Sequence, residues 1–168
     1  MTHPTDLDDV DGSDAIVIER VLRAPIDLVW GMWTEAEHFA TWYGPDAASV
    51  PHVHFDLRVG GRRQLCMRIE TPNGPSEMWF TGQFRVLDAP HRLVYTETMT
   101  DAEGTTMSPT DMGVADDAVM TAEVCVELER TDHGTRILLT HSGVPAGSAA
   151  EAGWTMAIDK LERHLAHQ

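Results

Sequence analysis

Cysteine is scarce in this chain of 168 residues, which carries Cys66 and Cys125 and no other. Two thiols without metal-ligand spacing exclude a disulfide framework and a cysteine-built metal knuckle. They fall in strand patterns not expected to be neighbours, so both read as free thiols of a reducing compartment. Positive charge is also sparse: 12 Lys and Arg stand against 27 Asp and Glu, a formal net charge of -15. That balance argues against nucleic acid or an anionic membrane surface as partner, and it repels acidic substrates unless a local basic pocket overrides it. No apolar run reaches membrane-spanning length, and the first residues lack a basic-then-apolar leader pattern. Gly-x-Ser-x-Gly, His-Glu-x-x-His, Gly-x-Gly-x-x-Gly and a phosphate loop are all missing. No nucleophile motif, metal or cofactor is therefore expected, and the location expected is cytoplasmic.

What is present is strand periodicity followed by one amphipathic helix. Residues 1–14 are acidic and polar and read as a flexible tail; residues 15–168 read as a single domain. Ala15–Leu22 alternates as a first strand, with Ile16 and Ile18 on one face. Pro25 suits a first helical position, so a short helix is expected over Pro25–Trp33, and Thr34 with Glu37 suggests a capping box for a second that ends at Gly44-Pro45. Six strands follow: Val50–Arg58, Arg63–Thr71, Met78–Leu87, Arg92–Thr100, Val119–Arg130 and Thr135–Ser142. Leu65, Met67 and Ile69 share one face, as do Met78, Phe80, Phe84 and Val86, and as do Leu93, Tyr95 and Met99. The long irregular stretch Asp101–Asp117 is either a mobile loop or a lid. Trp154–His167 puts Trp154, Ile158, Leu161 and Leu165 on one side, and Ser148 with Glu151 suggests a capping box before it. Short strands joined by hairpins imply an antiparallel sheet whose apolar face needs a cover, and this helix alone is long enough. The fold class is α+β: a curved antiparallel sheet of about seven strands around a long C-terminal helix, with two short helices after strand 1.

Several residue sets carry chemistry on paper. His52, His54 and Asp56 alternate, as a three-ligand metal set would, but Cβ atoms at i and i+2 on a strand diverge, so ordinary strand histidines are the reading. His54 or His141 in a buried cavity would titrate near neutral pH and move protons. Arg20, Arg58, Arg63 and Arg68 are the one cluster of positive charge; one pointing inward would fork a ligand carboxylate, and otherwise they pair with surface acids. Five tryptophans and nine methionines supply large and adaptable apolar surface.

The element order, with Arg20, Ala24-Pro25, Val29-Trp30, Phe39, Trp42-Tyr43-Gly44-Pro45, the hexad Asp56–Gly61, Gly82, Pro90, Arg92-Leu93, Thr135, Gly153-Trp154 and Leu161, resembles the helix-grip fold of the START/Bet v 1-like superfamily. Within it the chain is similar to the group related to the activator of Hsp90 ATPase, the AHSA1-like proteins. The resemblance implies a cavity between sheet and long helix that holds a small hydrophobic molecule, aromatic or polyketide-like. Relatives of this fold include binders, cyclases, stress proteins and cochaperone modules. The expected lining is Trp33, Trp42 and Tyr43 from the short helices and the turn after them. His54, Met67, Phe80 and Tyr95 are expected from the sheet, and Trp154 and Ile158 from the long helix. Alternatives are a cyclase or hydrolase using a cavity histidine and a cochaperone-like interaction module. A monomer or a homodimer paired through an exposed strand is expected.

Overall fold

A computed structural model of the protein describes residues 15–103, 105, 121–144 and 146–166. The tail, most of the Asp101–Asp117 loop and Met120 lie outside the described residues. Seven strands form one antiparallel sheet: β1 (Ala15–Leu22), β2 (Ala48–Phe55), β3 (Arg62–Thr71), β4 (Gly74–Asp88), β5 (Arg92–Thr100), β6 (Thr121–Thr131) and β7 (Gly134–Ser142). Their order is β1-β7-β6-β5-β4-β3-β2. Two short helices, α1 (Ile26–Thr34) and α2 (Ala36–Phe39), carry the chain from one edge of the sheet to the other. A meander then brings it back until β7 pairs with β1, Ala15 opposite Ser142 and Leu22 opposite Thr135. The final helix α3 (Ala149–Leu165) packs on the inner face of this curved sheet. The architecture is the α+β one expected from the alternation of strands and a single long helix.

Period-two patterning builds the inner face. On β3 the residues Arg63, Leu65 and Met67 are buried; on β7 Ile137, Leu139 and His141 are. The stripe on α3 is Trp154, Ala157, Ile158, Leu161 and Leu165, which closes over them at helical spacing. Each large apolar side chain removed from water in this way contributes about 1.5–3 kcal/mol before entropy is charged against it.

Two irregularities change faces that strict alternation assigns. A register shift between Phe84 and Val86 on β4 puts Leu87, not Val86, with the core. An extra residue in one strand inverts all parity beyond it. A second shift lies between Ser49 and His52 on β2, beside Pro51. Proline cannot donate to a ladder, and β2 is an edge strand, where that omission is tolerated. β2 spans Ala48–Phe55 instead of reaching Arg58, and Asp56–Gly61 is loop.

The helix ends also differ from the capping patterns. Pro25 is the extended N-cap of α1 rather than its first helical residue. Thr34 belongs to α1, where its hydroxyl donates to the Trp30 carbonyl at 2.9 Å, and α2 begins after Glu35 with no side-chain cap. α3 starts five residues before Trp154. Its N-cap Ser148 makes no capping bond; the Glu151 carboxylate instead accepts from the backbone N–H of Gly147 at 3.1 Å, one residue further back.

Candidate ligand cavity

A cavity of about 530 Å³ opens between the inner face of the sheet and the first half of α3. That is the size of a small-molecule site. The sheet floor is Met67, Ile69, Met78, Phe80 and Met99, and the helix wall is Gly153, Trp154 and Ala157. Tyr43, Gly44 and Pro45 form a third side. Gly44 turns the chain there at φ +88°, a left-handed conformation, and a Cβ on it would stand 2.8 Å from both the Met67 sulfur and the Ala48 Cβ. Lys160 of α3 fixes this segment by donating to the carbonyl of Pro45 at 3.0 Å and, more loosely, to that of Tyr43 at 3.5 Å. Burial pushes the Lys160 ammonium below its ordinary pKa, and Asp46 partly offsets this.

The wall is not wholly apolar. Glu97 on β5 and His141 on β7 both face the cavity. Behind Glu97 lies Arg63 of β3, almost fully buried at 2% exposure, whose Nη1 donates to Glu97 Oε2 at 3.1 Å. The pair spans β4 at Gly82, which pairs with Arg63 and stands level with Glu97 in the register running from Thr81–Thr98 to Phe84–Tyr95. A Cβ on Gly82 would come within 1.8 Å of the Thr96 carbonyl oxygen, so only glycine fits. The guanidinium carbon sits 3.6 Å from the Tyr95 ring centre and 4.9 Å from those of Phe39 and Phe55. These ring faces replace part of the hydration lost on burial. The Nε and Nη2 atoms of Arg63 are sealed from water without a hydrogen-bond partner among the described residues.

His141 is held by one specific contact: the indole N–H of Trp154 donates to its Nδ1 at 2.8 Å. An indole N–H only donates, so Nδ1 must keep its lone pair and the ring proton sits on Nε2. Burial lowers the His141 pKa, against a smaller opposing effect of Glu97. The ring is thus a neutral donor with one fixed tautomer. Tyr43 and Tyr95 have phenols raised in pKa, first by burial, and both feel the Glu97 charge.

The structure separates the residues expected to line a pocket into three groups. Tyr43, Met67, Phe80 and Trp154 come together around the cavity. Trp33, Trp42, Tyr95 and Ile158 lie in the packed core and do not line it. Trp33 and Trp42 meet edge to face at 4.7 Å, Trp33 stacks on Trp154 at 5.9 Å, and the Trp42 indole donates to the Met32 carbonyl. Tyr95 is covered by Arg63, and Ile158 has no exposure. His54 is the third case: it is exposed on edge strand β2, because Val53 and Phe55 take the inward positions there. His52 is exposed beside Trp79, with ring centres 5.3 Å apart, and Asp56 pairs with Arg58 at 2.8 Å. Of the four arginines, Arg20 pairs with Asp159 of α3 and Arg58 with Asp56, Arg63 points inward, and Arg68 makes no ion pair among the described residues, its Nε sealed from water without a partner there.

Glu97 was not singled out in the sequence, though it carried a signal. It shares the parity of Leu93, Tyr95 and Met99, an acid on an apolar face. Arg63 likewise shares the parity of Leu65, Met67 and Ile69. That the two charges meet depends on strand register across β4, which neither strand encodes alone.

Among curated proteins none matches the chain. Solved structures share its fold. A protein from Nitrosomonas europaea is 25% identical with a TM-score of 0.68, covering 92% of this chain and 95% of its own. An AHSA1-like protein from Aeromonas hydrophila is 25% identical with a TM-score of 0.66, covering 91% and 92%. The AHSA1 protein from Silicibacter pomeroyi is 19% identical with a TM-score of 0.70, covering 90% and 97%. A family model described as activator of Hsp90 ATPase homolog 1-like protein matches residues 23–166, which together with the seven-stranded sheet gripped around α3 shows that the chain belongs to that family.

Proposed function

We propose that the protein binds a small hydrophobic molecule in the cavity between the sheet and α3. The observation that carries this reading is the cavity itself: about 530 Å³ of space walled by methionine, isoleucine, phenylalanine and tryptophan side chains, with two polar groups at one place on its wall. Apolar burial would supply the affinity and the polar groups the orientation. Methionines at positions 67, 78, 99 and 156 give an adaptable lining. Trp154 lines the space and reports on it. Titration of apolar probes followed by tryptophan fluorescence, with thermal shift in parallel, should give saturable binding; a flat response across chemically diverse probes would remove the reading.

A histidine-based cyclase or hydrolase is favoured by the place of His141 and opposed by its tautomer. A general base needs a free lone pair facing the substrate, and the lone pair of His141 is turned to Trp154. A filled interior would have favoured the interaction-module reading; an open apolar cavity weighs toward a small molecule.

A further inference from the structure

Taking the cavity as a ligand site, its polar end narrows the class of ligand. Three facts define that end. First, Glu97 spends Oε2 on Arg63, while Oε1 makes no hydrogen bond among the described residues and the side chain faces the cavity. Second, His141 spends Nδ1 on Trp154, which leaves Nε2–H as its donor with no partner among the described residues. Third, Ala122 of β6 stands directly across from Glu97 on the strand between β5 and β7, and it too lines the cavity. Its small side chain leaves the acid uncrowded on that side, and His141 stands two residues along the same register, across from Val124 of β6.

The charges at this end are balanced before any ligand arrives. Arg63 and Glu97 neutralise each other, and the remaining N–H groups of Arg63 are shut behind aromatic rings. An anionic head would meet a carboxylate between apolar walls and find no free cation among the described lining residues. A cationic head would meet a carboxylate already paired and an imidazole N–H pointing its positive end outward. A purely apolar head would leave both groups without partners, the costly case for buried polar atoms.

We propose that this end of the cavity selects a neutral hydroxyl-type head group, an alcohol or phenol, that donates to Glu97 and accepts from His141. One hydroxyl oxygen carries both functions. The apolar body of the ligand then lies along Met67, Met78 and Phe80.

The test uses the full chain and three probes with one apolar chain and different heads: 1-decanol, decyl methyl ether and decanoate. The ether accepts but cannot donate, and decanoate carries a charge. Binding is read from tryptophan fluorescence and calorimetry at neutral pH. 1-Decanol should bind about tenfold or more tightly than either of the others, the usual consequence of leaving a buried polar group unpaired. In His141→Phe the alcohol and the ether should both bind more weakly, since each oxygen accepts from Nε2–H, while the alcohol keeps its advantage over the ether because that comes from donating to Glu97. Glu97→Gln leaves Arg63 buried with a weaker partner and risks the fold, so the comparison of probes on the unmodified chain decides. Equal affinity for alcohol and ether, or decanoate at least as tight as the alcohol, overturns the head-group assignment and leaves the cavity reading intact. No saturable binding of any of the three overturns both.

Discussion

Arg63 and Glu97 illustrate how a buried charge is tolerated: one strong contact, aromatic faces around the cation, and a glycine beneath that lets the two strands' side chains meet. Removing one partner is costlier than removing both, because it strands a charge. Arg63→Met should therefore lower unfolding free energy by about 3–5 kcal/mol in urea melts. The double change Arg63→Met with Glu97→Met should recover most of the loss. A single variant as stable as the unmodified protein would show that the pair holds nothing together. His141 makes a second residue-scale prediction. Its pKa in the folded chain lies below the ordinary 6.5, mainly through burial, with Trp154 donating to it and Glu97 opposing the shift. The unfolded chain thus binds this proton more readily. The contribution to stability is full above 6.5 and is lost as pH falls from there toward the folded-state value. Stability compared at about pH 7.5 and about pH 5.5 should fall in the unmodified protein by more than in His141→Phe.

At the scale of elements, the two ends that matter are the start of α3 and the turn at Gly44. Ser148 occupies an N-cap position, yet its hydroxyl is buried and unpartnered among the described residues. A cap that makes its bond is worth about 1 kcal/mol; this one makes none. Ser148→Ala should be neutral or slightly stabilising in thermal melts. Glu151→Ala should cost about 0.5–1 kcal/mol, because its carboxylate satisfies the Gly147 N–H and favours the positive end of the helix. A clear loss with Ser148→Ala would restore the ordinary capping box. Gly44→Ala forces a Cβ onto a left-handed backbone and against Met67, so a loss of about 1–2 kcal/mol is expected, with weaker probe binding from a displaced Tyr43–Pro45 wall.

For the whole molecule, the question is why α3 does not fill the sheet. Its second half, from Ile158 to Leu165, does: Ile158, Leu161 and Leu165 are buried. Its first half lines the cavity, with the small residues Ala149, Ala150, Gly153 and Ala157 beside Trp154 and Met156. The α1–α2 segment plugs only part of the remainder, with Trp33, Phe39 and Trp42 packed on one another. The space left is the cavity. Ala122→Phe, which projects a ring into it, should raise the melting temperature while abolishing the fluorescence response to apolar probes. Unchanged probe binding in that variant would place the ligand elsewhere.

Much of this was written in the local pattern. Alternation marked the strands of the sheet, because a half-buried strand and a half-buried helix each repeat their burial with their own period; the main differences are the extra turn at the start of α3, the shorter end of β2, and β4, which begins at Gly74 rather than Met78. The same parity puts Met67 and Phe80 inward, and on β2 the inward parity belongs to Val53 and Phe55, which leaves His54 outward. What the chain could not state locally were the meetings between distant strands and the helix. Glu97 finds Arg63 across Gly82, Trp154 fixes the tautomer of His141, and a shift at Phe84 decides between Val86 and Leu87. Periodicity assigns a residue to a face from its own neighbours. Which residue it faces across the fold depends on register and on the depth at which α3 sits, and those are set by packing of the whole.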